Sequence, residues 1–230
     1  MISQPKSLAG ILIAVFSLSS FALADPKIHV SFGKEQGIPV LRVHGTAQER
    51  GYAHGYLLAK NIIKVLDQIV GPNGMLDAQT FQQLSQTYAK NVDLFGFGEE
   101  IDGMLSGIQA QLPLEQRKVP SLGRELQRED LIAVCLLSDV KGVQCSSFSL
   151  WNHGQCVTVR NLDYYPAELL APNQILIVEE PSEAGRMAWV SVSWPGSIGC
   201  YTGTNEQGIT VLMHDTNGNS PDKPQALTPR

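Results

Sequence analysis

Two periodicities divide the chain. β-Branched and apolar residues cluster at 27–32 and 38–44 around a glycine-containing break, which predicts a hairpin. At Thr46 the period turns helical. Thr46-Ala47-Gln48-Glu49 is a capping box, and its helix is expected to run to about Val70 and stop at Gly71-Pro72-Asn73-Gly74. Asp77 caps a second helix reaching about Phe95, apolar at Phe81, Leu84, Tyr88 and Val92. Residues 99–112 and 125–140 form a third and a fourth, with Ile101, Met104, Leu105 and Ile108 on one face of the third. Past Gly142 the period becomes that of strands. Residues 146–151 and 155–159 flank a turn at Asn152-His153-Gly154, and further strands are expected at 174–179, 187–193, 198–201 and 208–214. A helical half followed by an antiparallel sheet is an α+β arrangement. The strands are apolar enough to call for more covering layers than the chain supplies.

The first helix contains Gly51 and Gly55 one turn apart, with His54 beside the second. Glycine there costs helix propensity, so the pair marks a close approach of another backbone. His54 reads as a packed or hydrogen-bonded histidine ahead of a catalytic base.

The first 24 of the 230 residues stand apart. Lys6, the nearly uncharged apolar run at 8–23 and Ala22-Leu23-Ala24 before Asp25 make a secretory signal peptide, too short to serve as a membrane span. The expected division is therefore a signal peptide at 1–24, a mostly helical part at 25–144 and a sheet-forming part at 145–230. Export to the periplasm or the medium follows, with no stable membrane insertion. The net charge of −5, with scattered Lys and Arg, offers no electrostatic footprint for nucleic acid. The four cysteines, Cys135, Cys145, Cys156 and Cys200, lack a CxxC and match no zinc pattern. In an exported chain an even count also allows disulfides.

The chemistry concentrates in Val143–Tyr165, VQCSSFSLWNHGQCVTVRNLDYY. A tight hairpin there returns Arg160-Asn161-Leu162-Asp163 to the end of the sheet where Cys145 lies. A thiol, a fixed cation and a carboxylate together are the groups that activate a sulfur nucleophile. The competing reading is structural: Cys145 paired with Cys156 across the hairpin, or with Cys135 or Cys200, or simply buried. Cys145 with His54 as a papain-like dyad has no surrounding motif.

Cys145-Ser146-Ser147-Phe148, Arg160-Asn161-Leu162-Asp163 fifteen residues on, and Asn205-Glu206-Gln207-Gly208 before an apolar strand resemble the N-terminal-nucleophile (Ntn) cysteine hydrolases. The nearest branch is the penicillin acyltransferase-like family, with choloylglycine hydrolases and acid ceramidase as cousins. Gly45-Thr46-Ala47-Gln48-Glu49-Arg50-Gly51-Tyr52-Ala53-His54-Gly55 is similar to the N-terminal signature of that branch. The resemblance implies an αββα sandwich, here incomplete because relatives continue beyond Arg230, and a proenzyme cut between Gln144 and Cys145. The freed Cys145 α-amine then acts as general base, Cys145 as nucleophile, Arg160 as a thiolate-favouring cation and Asp163 as the group orienting the amine. The substrate is a small N-acyl compound, and no cofactor or metal is implied. The family's oxyanion asparagine falls at Asp215, preceded by His214. Since an ionised carboxylate repels an oxyanion, the role passes to a protonated Asp215, to Asn205 or Asn217, or to a backbone donor.

Overall fold

A computed structural model of the chain describes residues 30–71, 73–89, 97–136, 144–163 and 167–214. Strands β1 (Ser31–Glu35) and β2 (Ile38–Gly45) form the expected first hairpin. Its turn is Gln36-Gly37, with φ of 51° and 86°, the two positive values that a tight two-residue connection requires. That turn places Glu35 opposite Ile38, so the strand runs on past the expected end at Phe32 to Glu35; residues 27–29 of the expected strand lie outside the described residues.

The capping box opens helix α1 (Ala47–Val70): the Thr46 hydroxyl accepts from the Glu49 N–H, and the Glu49 carboxylate accepts from the Thr46 N–H at 2.8 Å. Asp77 caps α2 (Ala78–Tyr88) by accepting from the Thr80 N–H; residues 90–96, which include the expected end of this helix, lie outside the described part. Helix α3 is Phe97–Gln111. A small ribbon, β3 (Lys118–Val119) with β4 (Arg124–Glu125), was not foreseen, and it delays the next helix, α4, to Arg128–Cys135. The Arg124 guanidinium donates to both oxygens of buried Asp130, at 2.7 and 2.9 Å, and ties ribbon to helix.

The main sheet adds β7 (Ile175–Pro181), β8 (Trp189–Ser193), β9 (Thr202–Asn205) and β10 (Thr210–Leu212), in the order β1-β2-β7-β8-β9-β10. The protein is α+β, but the sheet is mixed and not antiparallel as expected: β2 runs parallel to β7, with Leu41 opposite Ile177. A parallel pair needs a long crossover. Here the helical segment supplies it, so the N-terminal part and the later strands share one sheet. The expected strand at 198–201 is also absent. Gly196 and Gly199 take φ of 88° and 98°, and this loop buries Trp194 and Ile198 before β9 begins.

One sheet face packs under the helices. Leu41, Val43, Ile175 and Ile177 join Leu58, Ile62, Leu66, Ile101, Met104 and Ile108 in a single core. Helices α1 and α3 touch backbone to backbone through Gly51 and Gly55 on one and Gly103 and Gly107 on the other. A Cβ at Gly51 would stand 1.9 Å from the Glu100 carbonyl oxygen, and one at Gly103 would stand 2.1 Å from that of Gln48. The close approach anticipated for Gly51 and Gly55 is therefore met by a second pair of glycines at the same spacing.

At one end of this contact Arg50 is buried among carboxylates. Its guanidinium reaches Glu179 at 3.2 Å, Glu183 at 2.9 Å and Glu100 at 3.8 Å, and donates to the Gly45 carbonyl at 2.6 Å. This ties α1, α3 and β7 together. Burial pushes both the Glu100 and the Glu179 carboxyl up, with Glu179 and Glu183 adding to the rise at Glu100 and Glu183 adding to it at Glu179, while Arg50 opposes it.

Candidate active site

The Cys145 hairpin stands as its own two-stranded sheet, β5 (Gln144–Asn152) with β6 (Gln155–Asp163). The turn is His153-Gly154, with φ of 48° and 76°, and both strands run further than the apolar pattern predicted. Opposed residues share a face, and faces alternate along each strand. Cys145 opposite Leu162 and Ser147 opposite Arg160 define one face; Ser146 opposite Asn161 and Phe148 opposite Val159 define the other, which also carries Asp163.

The first face meets the main sheet. Arg160 extends a guanidinium N–H to Cys145 Sγ at 3.0 Å. It donates also to the Tyr201 carbonyl at 2.6 Å, to the Thr202 hydroxyl and to the Met213 carbonyl, so the ends of β9 and β10 hold the cation in place. Cys145, Leu162 and Met213 pack against a second apolar cluster of Met75, Leu170, Trp194 and Tyr201, separate from the main core. The Trp194 and Tyr201 rings meet edge to face at 5.6 Å. The Trp194 indole N–H donates to the Leu170 carbonyl at 2.9 Å. Beside Arg160, the Ser147 hydroxyl lies 2.9 Å from His214 Nε2.

The four thiols occupy unlike surroundings. Burial pushes Cys135 up to about 12 and Cys200 up to about 11, which leaves both protonated and unreactive at neutral pH. Cys135 Sγ accepts from the Ile198 N–H at 3.3 Å. Cys156 is exposed near the turn, its sulfur 3.8 Å from the Thr158 hydroxyl. Cys145 combines partial exposure with a guanidinium contact. The anticipated Cys145–Cys156 bridge is excluded by register. Cys156 lies opposite Trp151, six residues along from Cys145, or roughly 20 Å at ~3.3 Å per residue. A disulfide needs its Cα atoms within about 7 Å.

The remaining anticipated residues separate. Asp163 points to the opposite hairpin face from Cys145 and Arg160, where it accepts from the Asn161 amide at 2.5 Å. Gln144 begins β5 directly across from Asp163, so the Gln144–Cys145 peptide lies within the strand. Asn205 sits at the far end of β9 from Arg160. Its side-chain oxygen accepts from the Gln207 and Ile209 N–H groups and closes the β9–β10 turn, while its Nδ2 faces Met187 Sδ at 3.2 Å. Asp215 and Asn217 lie outside the described residues. His54 is buried, pushed down to about 4 by desolvation, and accepts from the Gly196 N–H at 3.0 Å, which ties the 194–200 loop to α1. Tyr201 and Met213 act on Arg160 through backbone carbonyls, which leave no mark in a sequence. No group of three or more metal-binding side chains occurs among the described residues.

The hairpin's other face carries Phe148 and Leu150, 57% and 60% exposed, beside exposed Val157. No helix among the described residues is long and apolar enough to cross a membrane.

No family model matches the chain. It is 21% identical over 196 residues to "Protein dcd1B" of Dictyostelium discoideum, an alignment covering 80% of this chain. The chain spans 39% of the length of that curated relative.

Proposed function

We propose that this chain is an exported Ntn-type cysteine amidohydrolase or acyltransferase of the penicillin acyltransferase-like kind, acting on a small N-acyl compound. The observation that carries the reading is the Arg160 guanidinium 3.0 Å from Cys145 Sγ, held by two backbone carbonyls and a hydroxyl. A fixed cation at this distance favours a thiolate over a thiol. The apolar cluster of Met75, Leu170, Trp194 and Tyr201 backs the pair. After cleavage at Gln144–Cys145 the new α-amine takes the thiol proton, Cys145 attacks the substrate carbonyl, and the S-acyl enzyme passes its acyl group to water or an amine. The final αββα architecture belongs to this proposal too. The exposed Phe148 and Leu150 fit a sheet that another layer covers.

Intact-mass spectrometry of the purified protein tests the reading. Two fragments separating at Gln144/Cys145, and one uncut chain for Cys145→Ala, are expected. An uncut wild-type chain would sink it.

A further inference from the structure

In the uncut chain the base assigned to the mature enzyme does not yet exist. The Cys145 nitrogen is an amide in the Gln144–Cys145 peptide and has no useful basicity, so the first proton must leave the thiol another way. This question rests on the self-cleaving reading above. Among the described histidines, His54 is buried against Gly196, His44 lies on β2 and His153 forms the hairpin tip, eight residues from Cys145. His214 is differently placed. Its Nε2 lies 2.9 Å from the hydroxyl of Ser147, two positions along from Cys145 on the same strand face and directly opposite Arg160.

That placement is built. The Met213 N–H donates to the Tyr201 carbonyl at 2.9 Å, and Arg160 donates to the Met213 carbonyl while also donating to Cys145. One guanidinium therefore holds the thiol and the residue preceding His214 together. Same-face positions on a strand are roughly 7 Å apart, a gap that side-chain rotation or one water spans.

We propose that His214, acting through Ser147, is the base that starts self-cleavage. The Cys145 thiol proton passes to Nε2 by way of the Ser147 hydroxyl, and the sulfur attacks the Gln144 carbonyl carbon. As the C–N bond breaks, the imidazolium returns the proton to the departing Cys145 nitrogen. This leaves Gln144 as a thioester on Cys145 and a free α-amine. Water then hydrolyses the thioester, giving a Gln144 carboxylate and the Cys145 thiol, so the net reaction is hydrolysis of one peptide bond. His214 is a positioning and proton-accepting residue for maturation only, because the α-amine replaces it afterwards. Arg160 is the neighbouring charge, and it keeps the thiolate favourable while the imidazole is charged.

The test follows the rate of Gln144–Cys145 cleavage by mass spectrometry in the full chain between pH 5 and 8, for wild type, His214→Ala and Ser147→Ala, with folding checked by the urea midpoint. Wild type should cut faster as the pH is raised across this range, the direction a histidine base requires. His214→Ala should cut on the order of 10²–10⁴-fold more slowly, with a flattened pH profile and recovery in added imidazole. Ser147→Ala should be slowed in the same direction. If His214→Ala cuts at the wild-type rate and pH profile, the inference is overturned and the Ntn reading stands. Slowing with an unchanged pH profile and no imidazole recovery makes His214 a scaffold residue and also overturns it. An uncut wild-type chain removes both.

Discussion

Arg50 is buried and Arg160 half-buried, and the surroundings of the two differ. Arg50 is ringed by Glu100, Glu179 and Glu183, so its charge is fully matched and the cluster as a whole leans negative. Arg160 is held by the Tyr201 and Met213 carbonyls and the Thr202 hydroxyl, all neutral, and its remaining contact is the Cys145 sulfur. Both are fixed by several hydrogen bonds, although Arg160 Nε is buried without a partner. Matching by carboxylates makes the first a tie between α1, α3 and β7. Anchoring by neutral acceptors leaves the charge of the second available to thiols: to Cys145, which it touches, and to Cys200, whose upward shift it opposes.

Removing each arginine should break the molecule differently. Arg50→Met leaves Glu100 and Glu179 buried without their cation and should cost about 3–5 kcal/mol of unfolding free energy, measured by urea denaturation. A loss under 1 kcal/mol would mean that the carboxyls simply take up protons and the tie is dispensable. Gly103→Ala tests the scaffold around that tie, since its Cβ would stand 2.1 Å from the Gln48 carbonyl oxygen. Separating α1 from α3 should cost about 3 kcal/mol. Arg160→Gln should instead slow iodoacetamide alkylation of Cys145 at neutral pH by about tenfold, equivalent to about 1.4 kcal/mol, with a smaller stability loss than Arg50→Met. Equal alkylation rates would show that the guanidinium does not act on the sulfur.

The smallest effect is in pH. Glu100 and Glu179, with carboxyls pushed up by burial, hold protons more tightly folded than unfolded. Their contribution is greatest in acid and declines as pH rises from the ordinary carboxylate range through neutrality. His54, pushed down to about 4, acts oppositely: it costs stability as pH falls from about 6.5 towards 4, where only the unfolded imidazole gains a proton. Above about pH 6.5 the carboxyls alone remain. Glu100→Gln should therefore lessen the drop in stability between pH 6.5 and 8 by roughly 1 kcal/mol. An unchanged slope would place the titrating group elsewhere.

Legibility followed the range of each interaction. The Thr46–Glu49 capping box, the Asp77 cap and the turn at His153-Gly154 were readable because their partners lie within four residues. Cys145 and Arg160 were readable because a two-residue hairpin converts sequence spacing into proximity. Asp163 shows the limit of sequence spacing: it is near in sequence, but strand alternation turns its side chain to the face opposite Cys145. The turn-closing contacts of Asn205 were not readable, because they are set by the Gln207 and Ile209 N–H groups of a turn that only the folded chain defines.

By itself the sequence determined the α+β composition, the helix caps, the hairpin and the pairing of a thiol with a cation. All of these depend on local pattern and short loops. The tertiary structure alone decided that β2 joins β7 in parallel, that Gly103 and Gly107 answer Gly51 and Gly55, and that Arg50 is spent among carboxylates. It also decided that carbonyls more than forty residues from Arg160 aim its charge at Cys145 and that His214 reaches Ser147. Each of these joins segments that hydrophobic pattern places on a layer without ranking as neighbours, and several act through backbone atoms that every residue carries.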